Sequence, residues 1–389
     1  MTKDAPVPIA PVDERVYEVL ARDGFGPDLF NPRQHRACEL VDAYALHHAI
    51  DLCGRLGVAE IVRVPRTVGE VMAAAGFVAG FRPFVAWLLA HLAQAGVLDR
   101  EEEQYVLRGA LPVALLAEIR EAGLPTDPEY EPAYALLDAA AAACPQIATG
   151  ATTGERALLS KLRLWAAYFS NDNPYYAIAN RVAAKAAADR LADGATVLEV
   201  GAGLGSAAAA LLEELAKRGV RLAAYHATEP VPFFQRRAQS MLAEAHPDVA
   251  ITFGSLDLNR GWAEQGVAPG SRQMVWGVNV FHLARDLDAV LREAREALAP
   301  GGWLVVGEGV RPFPEVTVGA EMPFRLLGSF NDVRLDAKRR PTAGFLTGEA
   351  WLGVLASAGF DEVAPVPHVV AVREIYSGFV AVAACARRA

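Results

Sequence analysis

The stretch Ala195-Thr-Val-Leu-Glu-Val-Gly-Ala-Gly-Leu-Gly205 is the part of this chain that decides its fold. It begins with apolar residues that suit a buried strand of a parallel sheet. Three glycines at alternate positions follow, and a residue without a Cβ lets the backbone turn sharply and lie against a ligand. We expect a helix next, capped by Ser206 and ended by Gly219. This succession of strand, glycine turn and helix predicts a site for a nucleoside-bearing cofactor.

The spacing of the glycines separates two classes of cofactor. In the dinucleotide fingerprint the last glycine follows the second by three residues, and in this chain that position is Ser206. The pattern Glu199-x-Gly201-x-Gly203-x-Gly205 instead resembles motif I of class I S-adenosylmethionine-dependent methyltransferases. The resemblance implies that S-adenosylmethionine is the cofactor and that these four residues bind it.

Two later segments place acids where the same family binds its cofactor. The apolar run 222–228 predicts a second strand ending in Glu229, which could accept hydrogen bonds from both ribose hydroxyls or instead cap the next helix. After a third strand at 251–253, Asp257 and Leu258 match the family's adenine-binding positions, an acid for the exocyclic amine and an apolar side chain over the ring. Asp257 could equally be a loop residue that bonds its own backbone.

The fourth strand and the residues after it extend the resemblance. A strand from Gln273 to Val280 leads into His282-x-x-x-Asp-Leu, and a Pro-Gly-Gly turn at 300–302 precedes a strand from Trp303. This block looks very like the methyltransferase domains of polyketide synthases, with small-molecule O-methyltransferases close behind. From about residue 175 onward, the resemblance implies a Rossmann-like α/β sheet that is mostly parallel, with an antiparallel last strand. It also adds Asn279 to the cofactor-binding residues.

His282 is the candidate catalytic base. It falls just past the C-terminal end of a central strand, where open α/β sheets bind ligands, and imidazole titrates near neutral pH. In both families a histidine at this position pairs with a glutamate at the end of the next strand, which is Glu308 in this chain. A carboxylate on the other ring nitrogen would fix the tautomer and favour the imidazolium. The alternative is a histidine that caps a helix and a glutamate at the surface.

The stretch from Phe330 to Trp351 resembles the segment that covers the substrate in those domains, although a tryptophan is commoner at position 330. The resemblance makes Asn331 and Arg334 candidate substrate-binding residues. The alternative is a surface loop with a solvated basic run from Lys338 to Arg340.

The N-terminal part of the chain is organised differently. An apolar helical pattern over 41–62, a Thr67-x-x-Glu70 capping box and an apolar run over 84–95 predict three helices, and a small hairpin follows at 96–107. Three helices and a two-stranded wing resemble the winged-helix dimerisation domain of small-molecule O-methyltransferases. Because the apolar faces of the first and third helices must be covered, we predict a homodimer.

Charge argues against nucleic acid as a partner. The helix that would enter a DNA groove carries Arg82 and His91 but is otherwise apolar. The wing turn holds three glutamates, at 101–103, which would repel phosphate. The formal net charge of −9 provides no basic field for nucleic acid or for an anionic membrane.

Composition sets the outer bounds. With 389 residues, 53% of them hydrophobic and 21% charged, the chain has ample core for two domains. It has no apolar run long enough to span a bilayer, no signal-peptide core at 1–6, and four scattered cysteines without metal spacing. We therefore expect a cytoplasmic protein without a metal. Its predicted segments are a winged-helix-like domain at 1–112, a helical connector and lid at 113–180, and a cofactor-binding domain at 181–389.

These features predict an enzyme that transfers a methyl group from S-adenosylmethionine to a polyketide-like or other small acceptor. A hydroxyl or enol oxygen is the preferred target, because a separate chain with a dimerisation-type N-terminal domain looks more like the O-methyltransferases. The alternative is C-methylation of a β-keto intermediate on a carrier protein, since the same histidine and glutamate could deprotonate an α-carbon. A third possibility is a scaffold of this fold that binds without transferring methyl.

Overall fold

The computed structural model describes residues 9–389, so the positions 1–6 used for the signal-peptide expectation lie outside it. The described chain divides into two compact units. The first contains residues 9–12, Pro32–Tyr168 and a returning segment, Glu315–Asn331; the second contains Asp13–Asn31, Phe169–Pro314 and Asp332–Ala389. The chain therefore passes between the units several times, and the boundaries differ from the predicted segments 1–112, 113–180 and 181–389.

The first unit is mainly helical. Its helices span Pro32–Arg55, Val58–Ile61, Val68–Ala75, Arg82–Gln94, Leu116–Gly123, Glu131–Ala148, Leu162–Tyr168 and Gly328–Asn331. A small antiparallel sheet in the order β1-β3-β2 consists of β1 (Arg66–Thr67), β2 (Asp99–Glu101) and β3 (Gln104–Val106). The expected hairpin is therefore present, and one more short strand pairs with it.

The two apolar helix faces that suggested a homodimer are buried within a single chain. On Pro32–Arg55, Leu40 and Leu52 have no exposed surface, and the same is true of Leu88 and Leu92 on Arg82–Gln94. The two helices pack on each other, and the second also packs on the returning segment. Because partners from this chain already cover both faces, the reason given for a homodimer no longer holds. The homodimer itself stays a prediction.

The returning segment is fastened to the helix that the sequence compared with a DNA-reading helix. Trp87 Nε1 donates a hydrogen bond to Val318 O (3.2 Å), and Gln94 Nε2 donates to Thr317 O (3.2 Å). Gln94 Oε1 accepts from the Thr317 N–H (2.9 Å), and His91 Nδ1 lies 2.9 Å from Thr317 Oγ1. This face of the helix is thus occupied by the chain's own backbone.

A seven-stranded sheet is the centre of the second unit. Its strands are β4 (Thr196–Val200), β5 (Ala224–Thr228), β6 (Ile251–Gly254), β7 (Arg272–Val278), β8 (Leu298–Gly309), β9 (Asp361–Val366) and β10 (Ala381–Arg387). Their order is β6-β5-β4-β7-β8-β10-β9. The first five pair in parallel, whereas β10 is antiparallel to β8 and β9. The predicted Rossmann-like sheet with an antiparallel last strand is confirmed.

The helices of this unit span Arg15–Arg22, Pro174–Ala188, Ser206–Lys217, Pro232–Ala245, Leu287–Ala297, Gly348–Ser357 and Val369–Ile375. Val197, Leu198 and Val200 of β4 are fully buried, as expected for a strand covered on both faces. The prediction that Ser206 caps its helix is wrong, because the N-cap is the left-handed Gly205 and no side chain caps there. Among residues 9–389, no helix combines the length and the hydrophobicity needed to cross a membrane.

Candidate functional site

The glycine turn after β4 has a backbone that suits glycine. Gly201, Gly203 and Gly205 have φ angles of 67°, 54° and 85°, which residues with side chains rarely adopt. A Cβ at Gly201 would lie 2.5 Å from Val280, and one at Gly205 would lie 3.0 Å from Leu242. A Cβ at Gly203 would meet no atom within 4 Å. The turn is therefore packed at its two ends and leaves open space against its middle glycine.

Glu229, just after β5, holds this turn. Its carboxylate accepts hydrogen bonds from the Gly203 N–H (2.9 Å) and the Val231 N–H (2.8 Å). Val231 is the N-cap residue of the next helix, so the carboxylate lies both at the glycine turn and at that helix start. Burial raises the pKa of Glu229, and the two backbone hydrogen bonds oppose the rise. Since each carboxylate oxygen has two lone pairs, the group keeps acceptor capacity for ligand hydroxyls.

Glu199 lies within β4 and is almost completely buried. The Tyr225 hydroxyl donates to Glu199 Oε2 (2.8 Å), and Trp276 Nε1 donates to the Tyr225 oxygen (3.1 Å). Burial raises the pKa of Glu199 to about 8, with a smaller contribution from the nearby Glu229. Sequence reasoning missed Tyr225 and Trp276, because only strand pairing brings them beside Glu199. A cofactor-binding role for Glu199 stays a prediction.

Asp257 and Leu258 lie in the loop that follows β6. Asp257 Oδ1 accepts from the Asn259 N–H (2.9 Å), which is the local backbone bond that the sequence left open. The Asp257 N–H donates to Gln265 Oε1 (2.8 Å), and Leu258 packs against the core of the unit. One carboxylate oxygen of Asp257 is thus bonded within the loop. The adenine-binding roles of Asp257 and Leu258 stay predictions.

Asn279 directly follows β7 and has a left-handed conformation, with φ of 53°. Its N–H donates to Gly307 O (2.8 Å) and its Oδ1 accepts from the Gly309 N–H (2.8 Å), which ties the end of β7 to the end of β8. The Tyr176 hydroxyl also bonds the Asn279 side chain, and burial raises the pKa of Tyr176 to about 12. Sequence reasoning missed Tyr176, which lies on a helix far from Asn279 along the chain.

His282 and Glu308 meet at the ends of β7 and β8. His282 Nδ1 lies 2.6 Å from Glu308 Oε2, and the His282 backbone N–H donates to Glu308 Oε1 (3.2 Å). Their exposed fractions are 4% and 0%, so Glu308 is not a surface glutamate. The Phe345 ring packs edge-on against the imidazole, with 5.2 Å between ring centroids. A carboxylate that accepts the Nδ1–H leaves Nε2 as the basic nitrogen of the neutral ring.

Arg340 holds the turn that carries His282. Its guanidinium donates to the backbone oxygens of His282 and Ala284. Only 2% of Arg340 is exposed, and burial lowers its pKa to about 10 against the opposing effect of Glu308. The interpretation of Lys338 to Arg340 as a solvated run is therefore wrong at Arg340. Three consecutive cations carry no local signal of which one points inward.

Asn331 and Arg334 bond to nearby protein groups. Asn331 Nδ2 donates to the backbone oxygens of Arg325 (3.1 Å) and Leu327 (2.7 Å). Arg334 Nη1 lies 3.1 Å from Asp286 Oδ2, and 79% of the arginine side chain is exposed. The two residues belong to different compact units, and their substrate-binding roles stay predictions. Within residues 9–389, no three His, Cys, Asp or Glu side chains are grouped so that they could hold a metal ion.

Comparisons with known sequences match part of this chain to methyltransferase domains and to polyketide synthases. Residues 198–304 match the family model of a methyltransferase domain. The chain is 32% identical over 188 residues to polyketide synthase ThaG of Burkholderia thailandensis, a match covering 48% of this chain and 3% of that protein. It is 36% identical over 121 residues to highly reducing polyketide synthase 2 of Gibberella zeae, which covers 30% of this chain and 5% of that protein. The chain thus spans a small part of these relatives.

Solved structures share the fold over almost the whole chain. The CurJ carbon methyltransferase has a TM-score of 0.78 at 20% identity, with 96% of each chain covered. The DszA carbon methyltransferase has a TM-score of 0.73 at 22% identity, with 98% of each covered. The trans-methyltransferase CalH, solved in complex with SAH, has a TM-score of 0.63 at 20% identity, with 90% of each covered. This protein has the class I S-adenosylmethionine-dependent methyltransferase fold, as the motif resemblance implied.

The methyltransferase domain indicates S-adenosylmethionine as the cofactor, and the residues of the turn fit that group. The space beside Gly203 admits a ligand against the backbone, and the Glu229 carboxylate lies at the same point with acceptor capacity for a diol. The cofactor bears no phosphate, and the turn accordingly lacks the third glycine of the dinucleotide fingerprint. Residues 198–304 thus match a methyltransferase domain, on a class I fold whose glycine turn fits S-adenosylmethionine.

Proposed function

We propose that this chain methylates the acidic α-carbon of a β-keto polyketide intermediate carried on a carrier protein, with His282 as general base and Glu308 as its orienting partner. The observation that carries the proposal is the buried 2.6 Å contact between His282 Nδ1 and Glu308 Oε2. A base in this position suits an acceptor that must lose a proton before it can take a methyl group. The identities to polyketide synthases support a polyketide acceptor.

The pair performs the proton transfer as follows. Glu308 accepts the Nδ1–H of His282, so Nε2 is available to take the α-proton of the acceptor. The resulting imidazolium is stabilised by its contact with the same carboxyl group. S-adenosylmethionine, held at the glycine turn, would supply a methyl group on a positively charged sulfur to the electron pair left on the α-carbon, with S-adenosylhomocysteine as the leaving group.

The cofactor is held by the glycine turn and the strand ends in this proposal. Glu229 takes the ribose hydroxyls, because its carboxylate lies at the open middle of the turn. Asp257 Oδ2 and Leu258 take the adenine edge and face. Asn279 lines the site from the end of β7, where it is already rigidly placed by its bonds to β8.

We prefer carbon over oxygen as the atom that takes the methyl group, because the argument for oxygen depended on uncovered helix faces in the N-terminal domain. Oxygen was favoured by an N-terminal domain of dimerisation type, yet the apolar helix faces of that domain are covered within one chain. The neighbours with high TM-scores include two carbon methyltransferases. O-methylation of a hydroxyl or enol remains the second candidate, favoured by the three-stranded wing beside the N-terminal helices. Either acceptor is a small molecule, free or carrier-bound, and we propose that the reaction takes place in the cytoplasm without nucleic acid.

The test is a methyl-transfer assay with labelled S-adenosylmethionine and three acceptors: a carrier-bound β-keto thioester, a free enol and a phenol. The position of the new methyl group in the product separates carbon from oxygen transfer. Binding of the cofactor without transfer to any acceptor would favour a non-methylating scaffold.

The roles of the pair are tested in single turnover. His282→Ala should lower the rate by a factor of about 10² to 10⁴ while leaving cofactor affinity nearly unchanged. Glu308→Gln should cost less, and little more when added to His282→Ala, because the two residues act as one unit. The exposed Glu213→Gln serves as the control for the same chemical change. Wild-type rates in His282→Ala across the pH range would exclude base catalysis by His282.

A further inference from the structure

The loop after the returning segment is built as a tight hairpin that ends in Arg340. Asp336 and Arg340 exchange two backbone hydrogen bonds, of 3.0 and 2.9 Å. Asp336 Oδ1 also accepts from the backbone N–H groups of Lys338 and Arg339, both at 2.9 Å. These four local hydrogen bonds close the turn and place Arg340 at the end of the hairpin.

Three ion pairs fasten the loop beside the turn that carries His282. They are Arg285–Asp332 (2.6 Å), Arg334–Asp286 (3.1 Å) and Arg339–Asp288 (2.6 Å). The Arg334 N–H also donates to the Arg285 oxygen (2.7 Å). Exposed pairs contribute little singly, but several on one short loop restrict how it can lie. The loop is thus held against the residues that directly follow the proposed base.

Arg340 alone in this loop is buried, and its hydrogen bonds explain what it does there. The guanidinium donates through Nη1 to Ala284 O and through Nη2 to His282 O. A planar fork of donors fixes two acceptors at once, which a lysine ammonium does not. Both acceptors belong to the short turn that positions the His282 ring. A buried cation is costly, so its retention beside a base indicates more than packing.

We propose that Arg340 is a positioning residue for methyl transfer: its two donors fix the turn that carries His282, and so hold the imidazole where its Nε2 accepts a proton. The inference rests on the proposed role of His282 as base. The hairpin and the bonds to His282 O and Ala284 O carry it.

Three variants of the full chain separate charge from geometry. Arg340→Lys keeps the charge but loses the fork, whereas Arg340→Gln loses both. Arg339→Gln is the matched control, because it removes one arginine charge and one exposed ion pair from the same loop, and a single exposed pair contributes little. Circular dichroism checks that each variant is folded, and Arg340→Lys keeps the test decisive if Arg340→Gln is not.

The first measurement is the proton NMR resonance of the His282 Nδ1–H, which a short hydrogen bond to Glu308 moves far downfield. It is assigned by its loss in His282→Gln. We expect the wild-type resonance in Arg339→Gln, an upfield shift in Arg340→Lys, and a broadened or lost resonance in Arg340→Gln. The readout needs no acceptor, and a residue with only a packing role would leave it unmoved in the folded Arg340→Lys protein.

The second measurement is the kcat and KM of methyl transfer. Arg340→Lys should lower kcat by about tenfold with little change in KM, because the base is misplaced. Arg340→Gln should lower kcat at least as far, because it loses both donors to the turn. Arg339→Gln should match the wild type in both respects.

A wild-type resonance together with a wild-type kcat in both Arg340 variants would overturn the inference. Failure of the proposed function looks different. In that case His282→Ala would transfer methyl at the wild-type rate, while the Nδ1–H resonance still responded to Arg340. The resonance thus tests the positioning by Arg340, and the rate of His282→Ala tests the base.

Discussion

Replacement of Glu199 by glutamine should stabilise the folded protein at alkaline pH. Burial raises the pKa of this carboxyl from 4.5 to about 8 in the folded chain, whereas the unfolded chain has the ordinary value. The folded state therefore binds the proton more tightly than the unfolded state. The associated stability is fully present below pH 4.5 and is lost as the pH rises through 8.

The magnitude follows from that shift. Each unit of pKa difference corresponds to about 1.4 kcal/mol. The free energy of unfolding therefore falls by at most about 5 kcal/mol as the pH rises from the lower to the higher of the two pKa values. Relaxation around the charged form reduces this, and we expect about 2 to 4 kcal/mol. Glutamine has nearly the same shape, keeps a carbonyl oxygen for the Tyr225 hydroxyl, and carries no charge to desolvate.

Urea unfolding at about pH 5, 7 and 9 measures the effect. The difference in unfolding free energy between Glu199→Gln and wild type should grow with pH, while the exposed Glu213→Gln should show no such trend. Parallel pH dependence of Glu199→Gln and wild type would refute the reasoning. The same variant tests the predicted cofactor role of Glu199, because a direct contact would make the substitution weaken S-adenosylmethionine binding in a calorimetric titration.

Two further predictions concern the glycine turn and the returning segment. Gly203→Val should abolish S-adenosylmethionine binding, because its side chain would enter the open space at a φ of 54°, and Glu229→Ala should weaken binding by about 1.5 to 3 kcal/mol. Calorimetric titration with Glu213→Ala as control measures both, and undiminished affinity in the two folded variants would disprove the assignment. Burial lowers the pKa of His91 from 6.5 to about 4, so the stability it contributes is present above pH 6.5 and is lost as the pH falls through 4. On acidification, the free energy of unfolding of His91→Asn should therefore fall less than that of the wild type, by up to about 3 kcal/mol. Urea unfolding measures this difference, and equal acid sensitivity of the two proteins would contradict the prediction.

Several features of the fold and site were predictable because their signals are local. The glycine turn follows from residues adjacent in the chain, and its three positive φ angles need glycine. The pairing of His282 with Glu308 was predictable for a related reason. Both residues follow strands that the motif resemblance placed side by side, and the carboxyl ends of parallel neighbours meet at one edge of the sheet.

Other features had no local signal. The homodimer was inferred from apolar helix faces, but a periodic pattern reports only that a face is buried and not what buries it. Here the cover includes the returning segment, which is separated from those helices by the strands β4 to β8. The predicted segment boundaries assumed consecutive domains for the same reason.

The sequence by itself determined the class of sheet, the order of its motifs and the chemistry of the proposed base, because strand periodicity and glycine conformation act over a few neighbouring residues. Only the tertiary structure decided which polar groups meet in the interior. Tyr225 and Trp276 reach Glu199 through strand pairing, and Arg340 reaches the turn of His282 through a hairpin far along the chain. Such contacts depend on long-range packing. The local sequence around a cationic side chain does not show whether the folded chain buries it or leaves it in solvent.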